Sequence, residues 1–249
     1  METKINYYLQ IADNALILSH RLSEYSSHGP FLEEDLANTN VALDLIGIAE
    51  SIYNECARIE GKGRIGDDFP YRRGEHEFYN CLLVEQPNRD FAFIMVRQFL
   101  TDAFNFYFYS EMTKSKDEFL KSIGFKAIKQ VTYHLRRSSE WMIRLGAGTE
   151  LANGKTQFAL DTLWRYSQEF FVPSEAESAM IKAGVGVDLE IVKDHWFQKV
   201  REILYMAHLS IPENQFQLNG GKQGKHSENL GFILTEMQFL PSKYPDAKW

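Results

Sequence analysis

The sequence has little positive charge and no long hydrophobic run, and each shortage excludes a class of protein. Its 249 residues hold 27 Lys and Arg against 34 Asp and Glu, a net charge of -7. An acidic surface is unsuited to nucleic acid or anionic lipid, so neither partner is expected. No run reaches the ~18 apolar residues of a membrane helix, and the N-terminus lacks a signal-peptide pattern. We therefore predict a cytoplasmic protein.

Cysteine and proline are scarce as well. The two cysteines, Cys56 and Cys81, lie in apolar stretches that favour reduced, buried thiols, and they lack the paired spacing of a zinc site. Proline disrupts helix interiors, so we expect all the prolines to lie in breaks between helices. They are Pro30, Pro70, Pro87, Pro173, Pro212, Pro241 and Pro245.

Apolar residues recur at helical spacing through most of the chain. In the first segment Ile5, Leu9 and Leu16 fall on one helix face, and no segment shows the period-two pattern of a strand. This spacing predicts helices over residues 5–25, 33–60, 75–84, 90–114, 117–145, 156–171, 188–209 and 229–240, and a short one after Ser174, which has capping-box spacing to Glu177. Long helices with short connections favour an antiparallel bundle, and we predict a single all-α domain over residues 1–249.

The sequence also lacks the ligand pairs of a two-metal carboxylate centre. Such a centre in a helical bundle takes Glu-x-x-His from each of two helices, because i and i+3 share a helix face. The histidines are His20, His28, His76, His134, His195, His208 and His226, and the residues three places before them are Ile17, Tyr25, Arg73, Val131, Val192, Tyr205 and Gln223. None of those residues is acidic, so we predict no metal in this chain.

Five polar residues nevertheless lie within apolar helical stretches: Asp44, Asp102, Asn105, Gln130 and His134. Asp102 and Asn105 have the i, i+3 spacing of a ligand pair, with Asn where His is needed, and Gln130 and His134 share a face at i, i+4. Two interpretations stay open. Either the five are the vestige of a degenerate di-metal site, or they make ordinary buried hydrogen bonds between helices.

A basic cluster contrasts with the acidic composition. Lys62, Arg64, Arg72 and Arg73 flank a glycine-rich connection, and arginine binds phosphate through two parallel hydrogen bonds. The cluster is interpreted either as a contact for a phosphate-bearing ligand or as a solvated loop. The glycine patterns of nucleotide-binding loops and the Gly-x-Ser-x-Gly of hydrolases are absent from the sequence.

Two longer stretches carry a resemblance to a known family. Residues 78–88 read Phe-Tyr-Asn-Cys-Leu-Leu-Val-Glu-Gln-Pro-Asn, and residues 220–231 read Gly-Gly-Lys-Gln-Gly-Lys-His-Ser-Glu-Asn-Leu-Gly. Shorter agreement occurs at residues 35–45, 126–136, 163–165 and 234–240, and at Trp249. Over essentially its whole length the chain resembles the C subunits of bacterial 1,2-phenylacetyl-CoA epoxidase, the structural subunits of a phenylacetate-CoA oxygenase.

The resemblance implies a ferritin-like bundle with additional helices and a non-catalytic role in aerobic phenylacetate catabolism. In that family a homologous A subunit holds the di-iron centre and inserts one oxygen atom of O2 into the ring of phenylacetyl-CoA. A reductase supplies electrons from NADPH through FAD and an iron–sulfur centre. We expect no cofactor in this chain and expect it to bind the A subunit, the B subunit and the reductase. Whether the isolated chain forms a homodimer stays open.

The resemblance also implies contact with the CoA part of the substrate. The matching positions are Glu77, Phe78, Tyr79, Asn80, Ser178, Ala179 and Met180. Phe78 and Asn80 keep the family pattern, whereas the other positions match it less well. The alternative to a structural subunit is a stand-alone metalloenzyme or oxygenase, which would need a cluster such as Asp44, Asp102 and His134.

Overall fold

The computed structural model describes residues 1–213, 216–245 and 247, so Trp249 of the family resemblance lies outside the described residues. The helices are α1 (Glu2–Glu24), α2 (Leu32–Glu60), α3 (Asp68–Arg72), α4 (Phe91–Met112), α5 (Glu118–Gly146), α6 (Glu150–Ser167), α7 (Glu175–Lys182), α8 (Leu189–Met206) and α9 (Glu228–Lys243). Short 3-10 turns lie at Glu75–Glu77, Gln168–Phe171 and Gly221–Gln223. The described residues contain no strand, which confirms the all-α prediction and is consistent with a ferritin-like helical bundle. None of these helices has the length and hydropathy to cross a membrane.

The helices form two compact units. The first contains Met1–Pro87 and Gly220–Trp249, and the second contains Asn88–Asn219. The single domain over residues 1–249 stays a prediction.

Helix α1 is the centre of the first unit. It packs lengthwise along α2 and also contacts α9. All residues from Tyr7 to Asp13 are buried, including the polar Gln10 and Asp13. A helix with one exposed face would keep its polar residues on that face. Here they point into the protein, so α1 needs polar partners around it.

Helix α4 has the same central position in the second unit. It contacts α5, α6 and α8, and every residue from Ala92 to Phe104 is buried. Trp196 of α8 is fully buried, and its indole N–H donates to the main-chain carbonyl of Leu100 at 2.9 Å. The ring of Trp164 lies 5.6 Å from that of Trp196. This aromatic packing fixes α4 among its neighbours.

Local side-chain hydrogen bonds set the start of several helices. Asp90, Asp117 and Thr149 each accept from the backbone N–H three residues later, at the starts of α4, α5 and α6. The predicted capping box is confirmed, because the hydroxyl of Ser174 accepts from the N–H of Glu177 and the Glu177 carboxylate accepts from the N–H of Ser174.

Some predicted details are wrong. Residues 75–84 do not form a helix, because the chain after the 3-10 turn runs to Gln86 through turns and extended backbone. Pro70 lies inside α3 and Pro241 inside α9. Pro70 is tolerated as the third helical residue, where a backbone N–H has no intrahelical partner. Cys56 and Cys81 are both buried, as predicted.

Candidate functional site

Residues 75–86 of the first unit, called segment 75–86 below, are the centre of the candidate site. Most of the segment is buried although it lacks regular structure beyond its 3-10 turn. Buried backbone groups without secondary structure need side-chain partners. Those partners come from α1 on one side and from residues 220–227 on the other.

Helix α1 binds the segment through three side chains. The carboxylate of Asp13 accepts from the N–H of Tyr79 at 2.8 Å, and the amide oxygen of Asn14 accepts from the N–H of Cys81 at 2.8 Å. Two nitrogens of Arg21 donate to the main-chain carbonyl of Glu85 at 3.0 and 2.9 Å. Arg21 lies about two helical turns after Asp13, so one face of α1 follows the course of the segment.

Arg73 joins the same network from the connection before the segment. Its guanidinium donates to both carboxylate oxygens of Asp13, to the carbonyls of Phe69 and Glu77, and to the Tyr53 hydroxyl. Burial alone would lower the pKa of Arg73, but Asp13 outweighs it and the pKa is raised. All five guanidinium N–H groups are used inside the protein, so Arg73 has none left for a phosphate.

Residues 220–227 hold the other side of the segment through a buried ion pair. The Glu85 carboxylate lies 2.9 Å from Nδ1 of His226, and the side chains of both residues are 0% exposed. Nε2 of His226 lies 2.9 Å from the carbonyl oxygen of Phe78. The same carboxylate accepts from the N–H of Ser227 at 2.7 Å and from the amide of Asn80 at 3.0 Å.

The geometry of His226 indicates that both ring nitrogens carry protons. A carbonyl oxygen and a carboxylate can only accept, so each nitrogen must donate and the ring is an imidazolium. Burial by itself lowers the pKa of His226, but the hydrogen bond and the charge of Glu85 raise it overall. The ion pair therefore links two stretches of chain separated by 141 residues.

Two glycines allow residues 220–227 to approach this closely. A Cβ at Gly221 would collide with the carbonyl oxygen of Asn80, and one at Gly224 would collide with that of His76. Gly224 also has φ of 74°, a left-handed conformation that favours glycine. The carbonyl of Gly224 lies 3.0 Å from Nδ1 of His76.

The positions expected to contact CoA differ in exposure. Phe78 and Asn80 are fully buried at 0% exposure, whereas Tyr79 is half-buried and Glu77 is exposed. Phe78 packs under the Arg73 guanidinium, which lies 4.2 Å from its ring centroid. Ser178, Ala179 and Met180 are half-buried on α7 of the second unit. Of the first stretch, only Glu77 and Tyr79 have side chains that reach the surface.

The remaining basic residues are on the surface and already paired with carboxylates. Arg64 contacts Glu60 at 2.7 Å and Lys62 contacts it at 3.5 Å, while Arg72 contacts Asp68 at 2.8 Å. Exposed pairs of this kind contribute little to stability, and the side chains of Lys62, Arg64 and Arg72 are 76%, 42% and 64% exposed. Lys62, Arg64 and Arg72 thus remain accessible to an anion.

A second polar cluster surrounds Asp102 in the second unit. Asp102 of α4 is 1% exposed, and one of its oxygens accepts from the Gln98 amide at 2.6 Å. Burial raises the pKa of Asp102 to about 6, against smaller lowering effects from His134, Ser138, Gln98 and Arg137. Asp102 of α4 and His134 of α5 thus belong to one buried cluster.

The other three predicted vestigial positions are less central. Asn105 and Gln130 are half-buried on α4 and α5. Asp44 is half-buried on α2 and belongs to the first unit. A remnant of a two-metal site and ordinary hydrogen bonding therefore remain alternative interpretations of Asp102 and His134.

The donors around Asp102 do not fit a di-iron centre. Such a centre uses four carboxylates and two imidazoles, whereas the cluster supplies one carboxylate, one imidazole, an amide and a hydroxyl. The described residues contain no group of three or more His, Cys, Asp or Glu side chains able to hold a metal ion. That the folded chain binds no metal stays a prediction.

The inference from the sequence missed the residues that hold segment 75–86. Asp13 and Arg21 lie within the apolar pattern of α1. A charged residue at such a position was the signal in the sequence that could have identified them as buried polar contacts. Glu85 and His226 fall within the two stretches that carry the family resemblance, but neither was assigned a role. Their pairing depends on a contact between distant parts of the chain.

Comparisons with known proteins cover the whole molecule. The sequence profile of the family described as "Phenylacetic acid catabolic protein" matches residues 1–249. The chain is also similar to the C subunit of the 1,2-phenylacetyl-CoA epoxidase of Escherichia coli (strain K12). The two are 40% identical over 243 residues, which are 98% of this chain and 98% of that protein.

Replacing His226 by glutamine tests the buried ion pair. The pKa of His226 is raised in the folded state, so its stabilisation is full below the unfolded value of 6.5 and is lost as pH rises through the folded pKa. We expect His226→Gln to lower the unfolding free energy by about 3 kcal/mol near pH 6 and by less near pH 9. Urea unfolding at several pH values measures this. His28→Gln, at an exposed site, is the control, and a loss independent of pH would contradict the account.

Replacing Asp102 by asparagine tests the cost of burying a carboxylate. Its pKa is raised from 3.8 to about 6, so the wild type loses stability as pH rises through that value. The loss is roughly 2 kcal/mol between pH 4 and pH 7.5. We expect the unfolding free energy of Asp102→Asn to change less over this range and to exceed that of the wild type at pH 7.5. Asp194→Asn, on the surface, should retain the wild-type profile. If the unfolding free energy of Asp102→Asn falls as steeply with pH as that of the wild type, the buried Asp102 carboxylate is not the cause of the loss.

Proposed function

Because the chain belongs to the phenylacetic acid catabolic protein family, we propose that it is the non-catalytic structural subunit of a multicomponent 1,2-phenylacetyl-CoA epoxidase. The donor set around Asp102 is the observation that supports this role most directly. One buried carboxylate beside an imidazole lacks the ligands for a metal pair. The chain then supports a partner that does the chemistry.

The partner set follows from the same proposal. The catalytic A subunit holds the di-iron centre, which supplies the activation of O2, and a reductase with NADPH, FAD and an iron–sulfur centre supplies electrons. The B subunit is the remaining partner in the complex. An acyl-CoA substrate and a soluble electron donor are typical of the cytoplasm, which is the location we propose for this assembly.

Segment 75–86 gives the chain a share in substrate binding in this proposal. The buried side chains of Phe78 and Asn80 anchor the segment, and the more exposed Glu77 and Tyr79 face the CoA ester. Ser178, Ala179 and Met180 form the second contact. Lys62, Arg64 and Arg72 are the candidates for phosphate contact because each keeps an exposed head group.

Purifying the chain alone and with its partner subunits tests the structural role. We expect the isolated chain, expressed with ample iron, to contain no stoichiometric iron and to show no epoxidation of phenylacetyl-CoA. Adding it to the A subunit, B subunit and reductase should restore turnover above that of the mixture without it. Metal analysis and product detection measure both outcomes. Bound iron or turnover by the chain alone would favour a stand-alone oxygenase instead.

Replacing Tyr79 by alanine tests the CoA contact. The side chain reaches the surface, while the backbone N–H that binds Asp13 is unchanged by the substitution. We expect the KM for phenylacetyl-CoA in the assembled complex to rise by roughly three- to tenfold with kcat unchanged, because uniform binding is lost. Tyr205→Ala, at an 84% exposed position on α8, is the matched control. An unchanged KM for Tyr79→Ala would remove segment 75–86 from the substrate site.

A further inference from the structure

Helix α2 carries an apolar stripe on its outer face. Leu32, Leu36 and Leu43 are 68%, 54% and 60% exposed. Asn40 and Gly47 lie on the same line, since the five residues follow one another at intervals of three or four. These five residues are called the α2 stripe below.

Within the described part of the first unit, α2 packs through a face other than the α2 stripe. The opposite face of α2 buries Val41, Leu45, Ile48 and Ile52, and α2 packs there along α1. A Cβ added at Gly47 would meet no atom within 4 Å, so the stripe ends at a position open to close approach. Aligned exposed leucines on one helix are typical of an interaction surface.

The charges beside the stripe decide which kind of partner fits. Residues 22–57 contain seven acidic residues and no lysine or arginine. Glu33 and Glu50 are exposed on α2, close to the two ends of the stripe. Two copies of this helix would therefore bring acidic edges together, and like charges oppose association. An anionic membrane is disfavoured for the same reason.

We propose that the α2 stripe binds an amphipathic helix of another polypeptide, whose apolar residues are edged by Lys or Arg. The apolar residues of that helix cover Leu36 and Leu43, and its basic edges lie near Glu33 and Glu50. The inference rests on the proposed function for the source of this helix, which is one of the other epoxidase subunits.

Binding of the chain to the other co-expressed subunits tests the surface. Leu36→Lys with Leu43→Lys places two positive charges in the stripe, and we expect the Kd to rise on the order of 100-fold. Leu151→Lys with Phe158→Lys on α6 is the matched control, because those side chains are 72% and 58% exposed and also seven residues apart. The control pair should bind like the wild type. Circular dichroism and thermal unfolding confirm that both variants fold.

A charge variant tests the basic edges of the partner separately. Glu33→Lys with Glu50→Lys should slow association about tenfold, and the wild-type association rate should fall with added salt. If neither the charge variant nor added salt changes the association rate, the partner helix does not have the proposed basic edges.

The outcomes separate the surface from the proposed function. If the wild-type chain binds none of the subunits, both ideas fail. If the wild type binds and the α2 double variant binds equally well, the surface is wrong while the structural role stands. If the free chain is a dimer that the α2 double variant dissociates, the occupant is a second copy and the heterologous helix is excluded.

Discussion

The buried ion pair between Glu85 and His226 is the interaction on which the candidate site depends. It joins segment 75–86 to residues 220–227, and the side chains of both residues are fully buried. Breaking one partner of such a pair leaves an uncompensated buried charge, which costs several kcal/mol. The pair persists because Ser227, Asn80 and Phe78 complete its hydrogen bonds. Together with Asp13, Asn14 and Arg21 on the other side, it gives a segment without helix or strand a fixed course.

That arrangement explains why two separate stretches carry the family resemblance. Residues 78–88 supply backbone groups and Glu85, while residues 220–231 supply His226 and the glycines that permit close approach. Each stretch therefore holds the other through these contacts. The anchored backbone also leaves Tyr79 half-buried, in the position that the proposed substrate contact uses.

Much of the helical structure was predictable, and the failures have physical causes. The long helices were found because their apolar spacing persists over many turns, whereas the start of α6 was missed because Thr149 caps a polar first turn. Segment 75–86 has apolar residues that suit a helix, but bonds from α1 hold its N–H groups elsewhere. Arg73 was grouped with Arg72 because they are adjacent, although the two side chains point to opposite environments. Asp102 stands out in the sequence because its neighbours are apolar. Its hydrogen bond with Ser138 could not be predicted, because it depends on which face of α5 packs against α4.

The central claim is that this chain braces its partners and supplies no ligand to the reacting metal. The most direct test is the iron content and turnover of the assembled complex carrying Asp102→Asn together with His134→Gln in this chain. The account predicts iron per complex and kcat equal to those of the wild type, once both are normalised to folded complex. Loss of iron or of turnover in that variant would contradict it.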